Sequence, residues 1–119
     1  MGRGVSYCAT CDGAFFRDKT VAVIGNNDEA LEETLFLTKF AEKIHLVVPT
    51  PTFKAREALT AEIAASPQIE VHWGTSLKEI NGNGAVQSIR VQPRGGAAAE
   101  IPVSGAFVYL QGASPSLII

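Results

Sequence analysis

The chain has 119 residues, 46% hydrophobic and 18% charged, with a formal net charge of −2. This is the make-up of one globular domain with room for a real core, and not of two. The charge balance excludes a nucleic-acid footprint and a polybasic membrane patch, and no apolar run approaches the ~20 residues that span a bilayer.

The first stretch with chemistry in it is Cys8-Ala9-Thr10-Cys11-Asp12, two thiols two residues apart with an acid directly behind them. Such a pair is either a redox disulfide or half of a metal site. A second half is missing, because His45 and His72, the other nitrogen ligands, fall outside zinc-finger spacings, and no metal site is expected. A redox CxxC needs only what is present, a small strained ring that closes and reopens by thiolate attack. Asp12 sits where it can protonate the thiolate that reduction releases. A purely structural pair is the alternative. Two neighbouring cysteines without a signal-peptide pattern point to a cytoplasmic chain rather than a secreted disulfide framework.

A turn or helical start over 6–16 carries the cysteines. Over 19–25, Thr20-Val21-Ala22-Val23-Ile24 is apolar and β-branched almost throughout, which predicts a buried parallel strand ended by Gly25-Asn26-Asn27. A helix is predicted over 28–41, with Ala30, Thr34, Leu37 and Ala41 on one stripe and Asp28, Glu29, Glu32 and Glu33 at its positive end. Residues 43–48 predict a second buried strand, completing a βαβ unit with a right-handed crossover. Pro49-Thr50-Pro51-Thr52 is a stiff loop before a helix over 53–65 and a third strand over 69–74. In that strand Ile69, Val71 and Trp73 face one way, Glu70 and His72 the other. Strands over 77–81 and 86–93, parted by Gly82-Asn83-Gly84, predict a hairpin. A flexible turn over 94–98, a return strand over 100–103 and a last buried strand over 106–110 follow.

Strand, glycine turn and helix invite the dinucleotide fingerprint GxGxxG/A, and the six positions are Gly25-Asn26-Asn27-Asp28-Glu29-Ala30. Gly25 and Ala30 fit. Asn27 stands where a glycine would let a pyrophosphate approach the backbone, and Glu29 adds negative charge at a helix start that attracts phosphate. The second strand ends in Val48-Pro49-Thr50, neither the acid of an NAD site nor the arginines of an NADP site; Lys54 and Arg56 are the nearest cations. Two independent departures favour a fold that has kept the dinucleotide-domain shape and lost most of its nicotinamide affinity, with weakened binding as the alternative. Other residues take plain roles: His45 as a packed or edge histidine, His72 and Trp73 as alternating strand positions, Phe15, Phe16 and Phe53 as packing groups, with a partner groove as the alternative for the aromatics beside the CxxC.

Taken together, Cys8-Ala9-Thr10-Cys11-Asp12-Gly13, Val21-Ala22-Val23-Ile24-Gly25 with Ala30, Glu32 and Glu33, Ile44-His45-Leu46-Val47, Phe53-Lys54-Ala55 and Gly105-Ala106-Phe107-Val108 carry a resemblance. They resemble the central, nicotinamide-nucleotide-binding domain of thioredoxin reductases of the low-molecular-weight flavoprotein type. Gly112-Ala113-Ser114-Pro115 resembles the return of that family's chain to its FAD domain, with Gln111 as an insertion. With the predicted elements this implies an α/β fold, a Rossmann-like three-layer ββα dinucleotide-binding domain with a parallel sheet plus an antiparallel β-meander. It implies that 1–119 is the central domain of a homodimeric flavoprotein whose flanking FAD domain is absent here. Both ends read as cut, at Met1 before Gly2-Arg3-Gly4 and at Leu117-Ile118-Ile119.

By the same resemblance Cys11 is the flavin-proximal thiol, Cys8 the interchange thiol that attacks the thioredoxin disulfide, and Asp12 the acid/base serving that exchange. The departures fall where the family binds NADPH, at Asn27, Glu29 and Val48-Pro49-Thr50. The expected function is therefore to pass electrons from FAD through Cys8 and Cys11 to thioredoxin, with a donor other than NADPH, such as ferredoxin. An ordinary NADPH-dependent reductase domain with altered loops, or a non-catalytic redox or interaction module, are the competing expectations. The domain alone is not expected to turn over.

Overall fold

The apolar runs become one sheet in the computed structural model, which describes residues 5–6 and 13–110. Strands β1 (Val5–Ser6), β2 (Thr20–Ile24), β3 (Lys43–Val47), β4 (Ile69–His72) and β8 (Gly105–Val108) lie parallel in the order β1-β8-β2-β3-β4. A second, antiparallel sheet runs β5-β6-β7, from β5 (Thr75–Gly82), β6 (Val86–Pro93) and β7 (Ala99–Pro102). Helices α1 (Asp28–Leu37) and α2 (Glu57–Ala65) and a 3-10 turn over Gly13–Phe16 complete the described elements.

The parallel sheet is the middle layer. One face packs Val21, Val23, Ile44, Leu46 and Phe107 against Ala30, Leu31, Leu37, Leu59 and Ile63 of the helices. The other packs Ala22, Ile24, Val47, Ala106 and Val108 against Val86, Ile89, Val91 and Val103 of the meander. A strand covered on both sides has no reason to alternate, and Val21 through Ile24 are each at most 1% exposed. The predicted three-layer ββα arrangement is thus the one observed.

Two helix boundaries differ from expectation, each because the backbone bonds elsewhere. The helix predicted to 41 ends at Leu37: the amides of Thr38, Lys39 and Phe40 turn back to the carbonyls three residues earlier, and Gln68 Nε2 donates to the Thr38 and Ala41 carbonyls. The helix predicted from 53 starts at Glu57, because Lys54 N–H donates to the Asn26 carbonyl and Arg56 N–H to Asp28 Oδ1. In the predicted hairpin turn, a Cβ at Gly82 would lie 1.9 Å from the Ala85 carbonyl oxygen, and Gly84 has φ +85°.

Candidate functional site

The turn between β2 and α1 is only Gly25-Asn26-Asn27. Its first position must be bare. A Cβ on Gly25 would come within 2.7 Å of Ala30 Cβ and 2.9 Å of the Tyr109 carbonyl oxygen. Gly25 and Ala30, the two fingerprint positions that fit, therefore form one device, the close approach of helix to strand.

Between them the loop satisfies itself. Asn27 is the N-cap of α1, with extended backbone, and its Oδ1 accepts the Ala30 N–H at 2.9 Å. A donor at the helix start, of the kind that elsewhere faces phosphate, already has its partner.

The segment after β3 then closes over this turn. Lys54 N–H donates to the Asn26 carbonyl at 2.8 Å, and Asn27 and Lys54 form a parallel bridge. Asn26 Nδ2 donates to Thr50 Oγ1 at 3.0 Å, and that hydroxyl donates on to the Thr52 carbonyl at 2.6 Å. The Arg56 guanidinium lies 2.7 Å from Glu32 and 3.5 Å from Asp28. The structure brings Gly25, Asn26, Asn27 and Ala30 together in a turn stitched to residues 50–56. The latch was not legible in the sequence; the acids Asp28 and Glu32 ahead of Arg56 are the signal that could have suggested it.

Cys8, Cys11 and Asp12, the predicted catalytic residues, lie outside the described residues. The elements before and after them in the chain are described. β1 pairs with β8 at the sheet edge, Val5 opposite Ala106 and Ser6 opposite Phe107. The 3-10 turn that follows is pinned by Phe16, whose ring meets Phe107 edge-on at 5.4 Å. Phe16 is packing, as expected, whereas Phe15 beside it is 77% exposed.

One cluster was missed. His45 on β3 and His72 on β4 share the sheet face that Lys43 and Glu70 also occupy, and His45 Nδ1 lies 2.9 Å from His72 Nε2. Glu70 Oε2 is 3.5 Å from the same His72 nitrogen, while its Oε1 pairs with Lys43 at 2.8 Å. Burial holds the His45 imidazole below the usual histidine range, with His72 adding to the effect and Glu70 opposing it. Burial also lowers His72, against the pull of Glu70. The Lys43 hydrogen bond lowers Glu70. Neutral rings suit the contact, which needs one N–H and one lone pair. The two histidines are 27 residues apart, and only the register of neighbouring strands, His45 opposite Glu70, joins them.

The sequence profile of the pyridine nucleotide-disulphide oxidoreductase family matches residues 20–96. A thioredoxin reductase of Streptomyces coelicolor is 38% identical over 110 residues, which are 92% of this chain and 34% of that protein. The crystal structure of Lactococcus lactis thioredoxin reductase superposes with a TM-score of 0.88 at 35% identity, covering 91% of this chain and 36% of that one. A ferredoxin-flavin thioredoxin reductase from Clostridium acetobutylicum does so at 0.71 and 27% identity, covering 99% and 37%. The chain spans about a third of the length of the curated relatives it matches.

Proposed function

Because the chain belongs to the pyridine nucleotide-disulphide oxidoreductase family, we propose that it is the disulfide-carrying domain of a thioredoxin reductase-like flavoprotein whose electron donor is not NADPH. The observation that carries the donor reading is the Asn27 side chain, which occupies the second glycine's place and takes the Ala30 N–H for itself. The latch from residues 50–56 and the pairing of Arg56 with Asp28 and Glu32 support it. These residues do not fit a nicotinamide dinucleotide. Similarity to a protein named a ferredoxin-flavin thioredoxin reductase makes reduced ferredoxin the donor to test first.

The chemistry assigned to the thiols is disulfide exchange. The Cys8 thiolate attacks one sulfur of the thioredoxin disulfide and forms a mixed disulfide, expelling the other sulfur as a thiolate, which takes a proton from Asp12. The Cys11 thiolate then attacks Cys8 Sγ, which closes the Cys8–Cys11 disulfide and releases the second thioredoxin sulfur as a thiolate that is protonated in turn. Each cysteine gives its thiol proton to Asp12 before it attacks, and Asp12 passes that proton to the thioredoxin thiolate then expelled, so thioredoxin gains the two electrons and two protons that the CxxC dithiol loses. Reduced FAD, held elsewhere in the full-length protein, would supply the two electrons that reopen that disulfide and would itself be reoxidised, to be reloaded by the donor.

The test is anaerobic reduction of the full-length flavoprotein by NADPH, NADH and reduced ferredoxin in parallel. Fast bleaching of the flavin by ferredoxin and slow bleaching by either nucleotide is expected. Rapid reduction by micromolar NADPH would show an ordinary NADPH-dependent reductase. Cys8→Ser should abolish thioredoxin reduction while leaving flavin reduction in place; unchanged thioredoxin turnover would point to a non-catalytic module.

A further inference from the structure

We infer that His45, Glu70 and His72 form a binding site for a divalent ion of the zinc class, bridging β3 and β4 on the meander side of the parallel sheet. The site is independent of the thiol chemistry and of the dinucleotide turn. Among the described residues this is the one group of three or more potential metal ligands whose ligand atoms converge, all within 4.8 Å of one another.

The donor set is two imidazoles and one carboxylate, the composition that leaves a fourth position on a tetrahedral ion for water. At ordinary zinc–ligand distances of about 2.0–2.1 Å, neighbouring tetrahedral ligands stand about 3.3–3.4 Å apart. The observed His72–Glu70 separation is 3.5 Å and the His45–His72 separation 2.9 Å. An ion therefore enters if the two rings, tilted by 36°, part by about 0.4 Å while the half-exposed Glu70 carboxylate swings in. The hydrogen shared in the His–His contact moves to the outer nitrogen of the same ring, so both rings stay neutral.

The frame is rigid where it matters. Both histidines are on paired strands, and the Val47–His72 and His45–Glu70 registers fix their spacing. Lys43 binds only Oε1 of Glu70, which leaves Oε2 for the ion and orients the carboxylate from outside, as outer partners do in metal sites. Two imidazoles select zinc, cobalt, nickel or copper over magnesium or calcium.

Cobalt(II) is the probe, because its tetrahedral complexes absorb visible light and zinc displaces it silently. The chain carries Cys8→Ser and Cys11→Ser, so that thiols cannot compete, and no histidine tag. One equivalent of cobalt should bind, develop visible bands and be displaced by zinc. His45→Gln and His72→Gln should each remove the bands while the far-UV circular dichroism in EDTA matches the parent. Absence of stoichiometric binding, or bands unchanged in His72→Gln, would overturn the site. If a histidine variant does not fold, the exposed Glu70→Gln decides. A loss of affinity of at least about tenfold supports the site, since even outer partners cost 10–100-fold; unchanged affinity sinks it.

Discussion

Replacing Asn27 separates the two jobs its side chain does. As the N-cap of α1 it accepts the Ala30 N–H at 2.9 Å; as a fingerprint position it stands where the family's second glycine would be. Losing the cap to alanine costs about 1 kcal/mol, whereas glycine costs only a few tenths. In a chain of this size 1 kcal/mol moves the melting temperature by about 3–6 °C. Thermal unfolding should thus place Asn27→Ala several degrees below the parent and Asn27→Gly close to it. The glycine also bares the backbone to a pyrophosphate. Adding Glu29→Ser removes a negative charge from the first turn of α1, and one unit charge at close range in water is worth about 1 kcal/mol, or roughly fivefold in affinity. NADPH binding to the chain, followed by nucleotide fluorescence, should therefore rank Asn27→Gly/Glu29→Ser above Asn27→Gly and both above the parent. Parent affinity equal to that of the double variant would refute exclusion by this loop. Equal destabilisation by glycine and alanine would refute the cap.

Gly105→Ala should be the costly small change, because its Cβ would lie 2.4 Å from Phe16 Cε1 and 2.7 Å from Cζ. Denaturant titration should show a loss of about 1–3 kcal/mol, partly recovered when Phe16→Leu is added; purely additive losses would show that the clash is relieved elsewhere. Arg56→Ala, by contrast, should cost no more than about 1 kcal/mol, because its two ion pairs are between side chains 47–61% exposed and its backbone bond to Asp28 survives the change. A larger loss would mean that the guanidinium itself holds the latch.

How much of this was legible follows from the range of each interaction. The β2 run and the stripe of α1 are local patterns with one physical solution, and both appear within a few residues of expectation. The hairpin at Gly82-Asn83-Gly84 was equally local, since the turn demands glycine where a Cβ meets the backbone. Sequence patterns failed where distant acceptors intervened: Lys54 and Arg56 look helical by composition, yet their amides serve the Asn26 carbonyl and the Asp28 carboxylate. The histidine pair failed for the same reason on a larger scale. Spacing rules for metal ligands assume one loop or one helix, and a parallel crossover instead joins positions on either side of a whole helix.

The same layout explains how a dinucleotide fold can keep its shape without its nucleotide. Both faces of the parallel sheet are closed by apolar contact, to the helices on one side and the meander on the other, and none of that burial depends on what the β2–α1 turn binds. The turn's own contribution is a cap and a few loop bonds, each worth about 1 kcal/mol. The helix–strand approach at Gly25 and Ala30 is needed for packing whether or not phosphate is present. Asn27 and the 50–56 latch can therefore replace a ligand's hydrogen bonds with internal ones at little cost to the fold. The 3-10 turn that follows the cysteines in the chain is anchored by Phe16 on Phe107 and under Gly105, on the β8 side of the sheet. Changes in the β2–α1 turn and the packing of this 3-10 turn on β8 are, on this physical ground, separable.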